Sequence, residues 1–186
     1  MTGLTALVLP IVLSAVFVFV VSSVIHMFTP WHKGEYPKLP NEDAFRSAVG
    51  PLKIPPGEYM YPRCDTMAEM KTPEFKAKID AGPVGMITVR PNGEMGMGRQ
   101  LTLWFVYALV VSVFAGYVGG RALGAGSDYL SVFRFVGATA FCGYVLALWQ
   151  QHIWYWRSFR ATFTASVDGF IYACVTAGTF GWLWPR

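Results

Sequence analysis

Four long apolar stretches constrain this chain more than any other feature. They cover residues 4–25, 101–119, 131–150 and 163–184. About 20 apolar residues in a helix are enough to cross a hydrocarbon core roughly 30 Å thick. Charged residues make up 14% of the chain, well below the roughly 25% of an ordinary soluble domain. The sequence therefore predicts an all-α integral membrane protein with four transmembrane helices.

The segment between the first and second stretches is too rich in proline and charge to cross a membrane. Asn41 and Thr72 each precede a short helical pattern, where a side chain can cap the helix N-terminus, and Pro73 suits a first helical position. Residues 84–90 have the composition of one short strand. We therefore expect a small, irregular cytoplasmic cap with two short helices between the first and second transmembrane helices.

The expected organisation has three parts. Residues 1–25 form the first transmembrane helix, residues 26–100 form the cap, and residues 101–186 form a three-helix transmembrane hairpin bundle. The basic residues near helix ends are concentrated on the cap side: Lys33, Lys38, Arg90, Arg99, Arg157 and Arg160. Because cytoplasmic flanks carry the excess of Lys and Arg, both termini are predicted to be periplasmic and the long loop cytoplasmic. We expect a multi-pass protein of the bacterial inner membrane, in contact with lipid and not with nucleic acid.

Small residues recur at spacings of four in the last three stretches. Such stripes let helix backbones approach closely, so that dispersion contacts hold helices together in lipid. The predicted helix-packing residues are Ala108, Ser112, Gly116, Gly120, Thr139, Gly143, Ala147, Ala165, Gly169, Ala173, Ala177 and Gly181. The pattern predicts a tight bundle, or a homo-oligomer that shares these faces.

A polar row accompanies the stripe of the last helix. Asp168, Tyr172 and Thr176 follow one another at spacings of four, with Thr164 before them, and the row is expected to face protein. A charged group at membrane depth is costly and is usually paired or functional. Asp168 could tie the 151–162 turn to the helix, belong to a proton or ion pathway, or contact a substrate or cofactor. We favour the structural role.

All three histidines fall on the cap side of the predicted membrane. His26 ends the first helix, His32 follows shortly after it, and His152 ends the third helix. Histidines from different helices can hold a haem iron or another metal ion, and a quinone is a further candidate ligand. Interfacial histidines without a ligand are the alternative. No motif commits any residue to a metal.

No catalytic sequence motif is present in the chain, which favours a protein that is not an enzyme. We expect a non-catalytic accessory or assembly subunit of a bacterial inner-membrane complex, whose partners are other membrane subunits or copies of itself. The alternative is a redox or transport protein that binds haem, metal or quinone near the cytoplasmic interface. A small lipid-modifying enzyme that uses Asp168 with His152 is a third hypothesis.

Overall fold

A computed structural model describes residues 1–93 and 96–186. The chain divides into two compact units. The helical unit comprises Met1–Pro37 and Gly96–Arg186, and the cap unit comprises Lys38–Met95.

The described residues form eight α-helices and two strands. In chain order the helices are α1 (Val8–Phe28), α2 (Glu42–Val49), α3 (Met67–Met70), α4 (Pro73–Ala81), α5 (Gly98–Ala122), α6 (Tyr129–Phe141), α7 (Leu148–Tyr155) and α8 (Phe159–Trp182). The strands are β1 (Gly57–Tyr61) and β2 (Gly85–Val89). A 3₁₀ turn (Leu4–Leu7) precedes α1, another (Gly50–Leu52) follows α2, and a π-helical turn (Cys142–Leu146) separates α6 from α7.

Three helical segments among the described residues are long and apolar enough to cross a membrane. They are Leu4–Phe28, Gly98–Ala122 and Tyr129–Tyr155. Helix α8 has 24 residues, which is also sufficient length, but its threonines and Asp168 lower its hydropathy. The prediction of a largely helical membrane protein is therefore confirmed.

The four long helical segments pack as a closed bundle. Helix α1 contacts α5 and α8, and α6 contacts the same two helices on the other side. The buried face of α1 includes Ala15 and Val18, and the hydroxyls of Ser14 and Ser112 meet 2.9 Å apart across the α1–α5 contact. The first helix is therefore an integral part of the core of the helical unit.

Both chain termini lie at one end of this bundle. The Thr2 amide donates to the Gly120 carbonyl at the end of α5 over 2.7 Å. The Trp184 indole donates to the Gly124 carbonyl over 2.9 Å, and the Gly126 amide donates to the carbonyl of Pro185 over 2.8 Å. The residues around both termini are thus hydrogen-bonded to the turn between α5 and α6.

The predicted small-residue stripes differ in how they pack. Most of the α5 and α8 stripe residues are buried, namely Ala108, Ser112, Gly116, Gly120, Gly169, Ala173 and Ala177, whereas Ala165 and Gly181 are half-buried. In the third stripe, Thr139 and Gly143 are half-buried and Ala147 is exposed.

Helix α6 packs instead through a different row, Val132, Val136 and Ala140. The π turn after α6 contains an extra residue, which rotates every later side chain around the helix axis. A spacing of four carried through this turn therefore does not keep Thr139, Gly143 and Ala147 on one face.

Within residues 38–93, the described part of the cap unit has an antiparallel pair of strands and three short helices. Strands β1 and β2 pair from Gly57 opposite Val89 to Tyr61 opposite Gly85. The Asn41 side chain accepts from the Ala44 amide at the start of α2. Thr72 accepts from the Phe75 amide at the start of α4. The structure has both predicted helix starts and a strand within residues 84–90, whereas α3 was not predicted and β1 was expected only as extended chain.

Candidate functional site

A histidine from the loop after α1 lies between two carboxylates. Nε2 of His32 is 2.8 Å from Oδ2 of Asp168, and Nδ1 of His32 is 2.9 Å from Oε1 of Glu35. Asp168 is only 4% exposed, at a depth where an unpaired carboxylate would be costly. The Glu35–His32–Asp168 chain therefore joins a buried carboxylate to a loop residue.

His26 stacks against this chain from the end of α1. The imidazole centroids of His26 and His32 are 4.5 Å apart, and the ring planes differ by 12°. Nδ1 of His26 lies 2.9 Å from the Ser22 carbonyl oxygen. Because a carbonyl only accepts, Nδ1 carries a hydrogen, so Nε2 of a neutral His26 remains an acceptor.

One row of α8 holds the loop in this position. Arg160 donates to the Lys33 carbonyl over 2.8 Å, the Thr164 hydroxyl donates to Glu35, and Asp168 contacts His32. These three α8 residues are spaced by four, so they project from one face of the helix. The polar row from Thr164 onward thus contacts other parts of the protein here, and it extends back to Arg160.

An apolar cavity of about 530 Å³ lies beside this cluster. Its lining comes from α1, α5, α8, the π turn and α7, and includes Ser22, Ser23, His26, Gln100, Leu101, Trp104, Tyr107, Tyr144, Leu148, Ala165, Asp168, Gly169 and Tyr172. This volume lies in the range of small-molecule binding sites, which are mostly apolar with a few convergent polar groups.

Three buried polar atoms on the cavity lining have no hydrogen-bond partner among the described residues. They are the hydroxyl oxygens of Tyr144 and Tyr172 and Oδ1 of Asp168. The side chains are 5%, 4% and 4% exposed, respectively. Leaving a buried polar group unsatisfied costs roughly 1–3 kcal/mol. A ligand that offers both an acceptor and a donor would remove this cost.

Aromatic side chains form one side of the cavity. The centroid of Trp104 lies 5.7 Å from that of Tyr107 and 5.6 Å from that of Tyr172, and Tyr144 lies 5.7 Å from Tyr172. The Trp104 indole donates to the Ser22 hydroxyl over 2.8 Å, which fixes its ring. This surface is suited to a flat aromatic ring, because aromatic pairs prefer offset and edge-to-face contacts at these distances.

The π turn brings Tyr144 into this cavity. Such turns interrupt the regular hydrogen-bonding pattern of a helix and are frequent at functional sites. Here the Gly143 carbonyl accepts from the Tyr107 hydroxyl over 2.6 Å. Tyr107 therefore supplies a side-chain partner for a backbone group of the interrupted helix, while Tyr144 is buried with its hydroxyl unpartnered.

The geometry of the histidines bears on which cofactor they can hold. Two histidines that ligate one haem iron stand on opposite faces of the ring, whereas His26 and His32 are stacked on each other. Ligand atoms of His26, His32 and Asp168 come within 4.8 Å of one another. Both nitrogens of His32 already face carboxylate oxygens at 2.8 and 2.9 Å. His32 is thus hydrogen-bonded to Glu35 and in close ionic contact with Asp168, where Nε2 has no partner in hydrogen-bonding geometry.

The third predicted histidine lies outside the cluster. Nδ1 of His152 is 2.7 Å from the Arg157 carbonyl, and its ring packs edge-on against Trp149 and Phe159. His152 thus contributes to the turn between α7 and α8.

Thr176, at the far end of the polar row, makes a hydrogen bond within its own helix. Its hydroxyl donates to the Tyr172 carbonyl over 2.9 Å.

Sequence reasoning missed Glu35, Trp104, Tyr107 and Tyr144 as site residues. The continuation of the α8 polar row to Arg160 indicates that a polar segment packs there, but not which one.

Comparison with known proteins gives no match, whether to a family model, to a curated protein or to a solved structure.

Proposed function

We propose that this protein is a quinone-binding membrane subunit whose ligand head group occupies the cavity between α1, α5 and α8. The observation that carries the proposal is the set of three unpartnered, buried polar atoms on an otherwise apolar lining: the Tyr144 and Tyr172 hydroxyls and Oδ1 of Asp168. The proposal develops the quinone alternative predicted from the histidines and Asp168.

A quinone matches the chemistry of this lining. Its flat ring can pack against Trp104 and Tyr172, and its oxygens can accept from the two tyrosine hydroxyls. Its apolar tail is soluble in the hydrocarbon core, so a ligand of this class reaches the site through lipid. An apolar cavity with few polar groups sets the orientation of such a ligand through those groups.

The site lies well inside the bundle under the four-span arrangement that we propose. Asp168 is nine residues beyond Phe159, the first residue of α8, which is about 14 Å along the axis at 1.5 Å per residue. In this arrangement α8 is the fourth crossing, because its polar row faces the cluster and not lipid. Both termini are periplasmic and the cap is cytoplasmic, in a bacterial inner membrane.

The accessory-subunit expectation is compatible with this proposal and stays a prediction. A quinone-binding subunit would exchange electrons with a redox centre on another subunit of its complex. Purification in a mild detergent followed by mass spectrometry at the native size tests this part. Stoichiometric partners would support a subunit role, and elution as a homo-oligomer or alone would contradict it.

Quenching of tryptophan fluorescence by a short-tailed benzoquinone tests the ligand class. Trp104 lines the cavity, so we expect saturable quenching that is reduced by Trp104→Phe. Tyr172→Phe should weaken binding about 2–10-fold, the equivalent of one hydrogen bond of roughly 0.5–1.5 kcal/mol. Tyr117→Phe is the matched control, because Tyr117 is an exposed tyrosine of α5.

Three results would contradict the proposal. The first is quenching that does not saturate. The second is the same affinity in Tyr172→Phe and Tyr117→Phe. The third is purification of the protein with stoichiometric haem or metal that is lost on His32→Ala.

A further inference from the structure

We propose that Glu35, His32 and Asp168 form a proton relay, through which the protonation of Asp168 follows the oxidation state of a quinone bound in the cavity. This inference rests on the proposed function and adds a direction and a route for the proton. The route runs between the cavity and the loop of residues 29–37.

The three groups are spaced for proton transfer. Nδ1 of His32 lies 2.9 Å from Glu35 and Nε2 lies 2.8 Å from Asp168, so both nitrogens are within reach of a carboxylate, although Nε2 is not aligned with Asp168 for a hydrogen bond. Oδ1 of Asp168 remains without a partner and belongs to the cavity lining. At the other end Glu35 is flanked by the exposed residues Gly34 and Tyr36. The chain therefore has one end at the ligand and one end near solvent.

The chemistry of the two quinone states requires two states of Asp168. A quinone oxygen only accepts hydrogen bonds, so an ionised Asp168 would face it oxygen to oxygen and repel it. A protonated Asp168 donates to that oxygen. A quinol hydroxyl donates, and an ionised carboxylate is its best acceptor. Binding of the quinone is therefore linked to uptake of one proton by the site.

The transfer through His32 is balanced and conserves charge within the chain. The O–H bond of protonated Glu35 breaks as an N–H bond forms at Nδ1 of His32. The N–H bond at Nε2 breaks as an O–H bond forms at Oδ2 of Asp168, and rotation about the Cβ–Cγ bond of Asp168 then turns this O–H group toward the cavity. The products are an ionised Glu35, a neutral His32 in its other tautomer and a protonated Asp168. Glu35 then takes a proton from water, and the reverse sequence accompanies binding of the quinol.

The other titratable and charged groups around this chain and its cavity come from four elements. His26 stacks on His32 from α1, and the cavity is lined by Tyr107 from α5 and Tyr144 from the π turn. On α8, Tyr172 follows Asp168 in the polar row, and Arg160 is hydrogen-bonded to the Lys33 carbonyl. His26 is a second imidazole in contact with His32, so His26→Gln is needed to separate its contribution from that of the relay.

The first measurement is the affinity of the full-length protein for a short-tailed benzoquinone and for its quinol between about pH 5 and pH 8, the range in which histidines ordinarily titrate. As the pH rises through part of this range, we expect the affinity for the quinone to fall by up to about tenfold per pH unit, as linkage to one proton requires. The affinity for the quinol should rise with pH. Both slopes should persist in His26→Gln and disappear in Asp168→Asn.

The second measurement compares the time courses of fluorescence quenching and of proton uptake by a weakly buffered solution. In Glu35→Gln the side chain keeps its hydrogen-bonding capacity but cannot carry a proton, so the lag between quenching and uptake should lengthen at least tenfold. Glu58→Gln, at an exposed position of β1, should leave the lag unchanged.

The outcomes separate the relay from the ligand proposal. If both ligand forms bind with affinities independent of pH, the relay is wrong and quinone binding stands. If Glu35→Gln takes up its proton without added lag, Glu35 is not part of the route. If the native protein binds neither form, the proposed function fails and the relay fails with it.

Discussion

Nε2 of His32 lies 2.8 Å from Oδ2 of Asp168, although one residue follows the first long helix and the other lies within the last. The contact joins the loop after α1 to the interior face of α8. It places a titratable side chain beside a buried carboxylate at the edge of the cavity. The loop of residues 29–37 is thereby part of the site and not only a connection to the cap unit.

Asp168→Ala should destabilise the protein by roughly 1–3 kcal/mol, because the substitution leaves His32 with a partner on one side only and removes a buried hydrogen-bonding group. Equilibrium unfolding in detergent measures the change. Asp65→Ala is the control, since the Asp65 side chain is 87% exposed and its contact with Arg63 is 3.6 Å long. Substitutions of exposed residues usually change stability by less than about 0.5 kcal/mol. Equal losses in the two variants would contradict a structural role for Asp168.

Tyr172→Phe should act in opposite directions on stability and on binding. The Tyr172 hydroxyl is buried without a partner in the ligand-free protein, so its removal relieves a desolvation cost of about 1 kcal/mol and should raise the thermal midpoint. The same change removes a donor to the proposed quinone and should lower its affinity. Thermal unfolding with and without benzoquinone measures both effects. A lower midpoint without ligand would indicate that the hydroxyl has a structural partner.

Local sequence rules predicted those parts of the structure that depend on neighbouring residues. The apolar stretches and the helix starts at Asn41 and Thr72 are set within a few residues, so hydropathy and capping chemistry identify them. Strand β1 was missed because its pairing partner, β2, lies more than 20 residues later. Strand pairing is a non-local contact and leaves little signal in one sequence.

The candidate site was predicted only in part for a similar reason. His26, His32 and Asp168 were each singled out, but no spacing indicates that they meet, since the loop folds back onto α8 through long-range contacts. His152 was grouped with them because it lies on the same predicted side of the membrane. Knowing the side of the membrane on which a residue lies fixes its depth, but not the direction in which its side chain projects from the helix axis. The π turn before α7 changes that direction for His152.

Gly169→Ala should disturb the packing of α8 beside the site. A Cβ atom at this position would lie 2.7 Å from Cγ2 of Val145 and 3.0 Å from the Tyr144 carbonyl oxygen. The backbone oxygen cannot move freely, so we expect a loss of roughly 1–3 kcal/mol, typical of overpacked cores. Gly178→Ala in the same helix is the matched control, because its nearest neighbour would be the Tyr129 hydroxyl at 3.5 Å. Unfolding midpoints that agree in both variants would contradict the close approach at Gly169.

Asp128 should make the start of α6 sensitive to acid. Its carboxylate accepts from the Ser131 amide over 3.0 Å, and hydrogen bonding from the Ser131 side chain and backbone lowers the pKa of this carboxyl. A lowered pKa means that the contribution to stability is present above the ordinary Asp pKa of about 3.9 and is lost as the pH falls through the lowered value. Hydrogen exchange of the Ser131 amide measures the effect. Its protection should fall with acid in the native chain but stay nearly constant in Asp128→Ser, which retains a neutral cap.

The four-span arrangement predicts that the C-terminus and the turn between α5 and α6 are on the same, periplasmic side. Hydrogen bonds from Gly126 to Pro185 and from Trp184 to Gly124 place these segments at one end of the bundle. Ser127→Cys and Arg186→Cys, each in a chain without its three native cysteines, should react with a membrane-impermeant maleimide once the outer membrane is permeabilised. The native Cys64, retained alone, should react only after the inner membrane is opened. Labelling of Arg186→Cys under the same conditions as Cys64 would show that α8 does not cross, because only two spans would then separate the cap from the C-terminus.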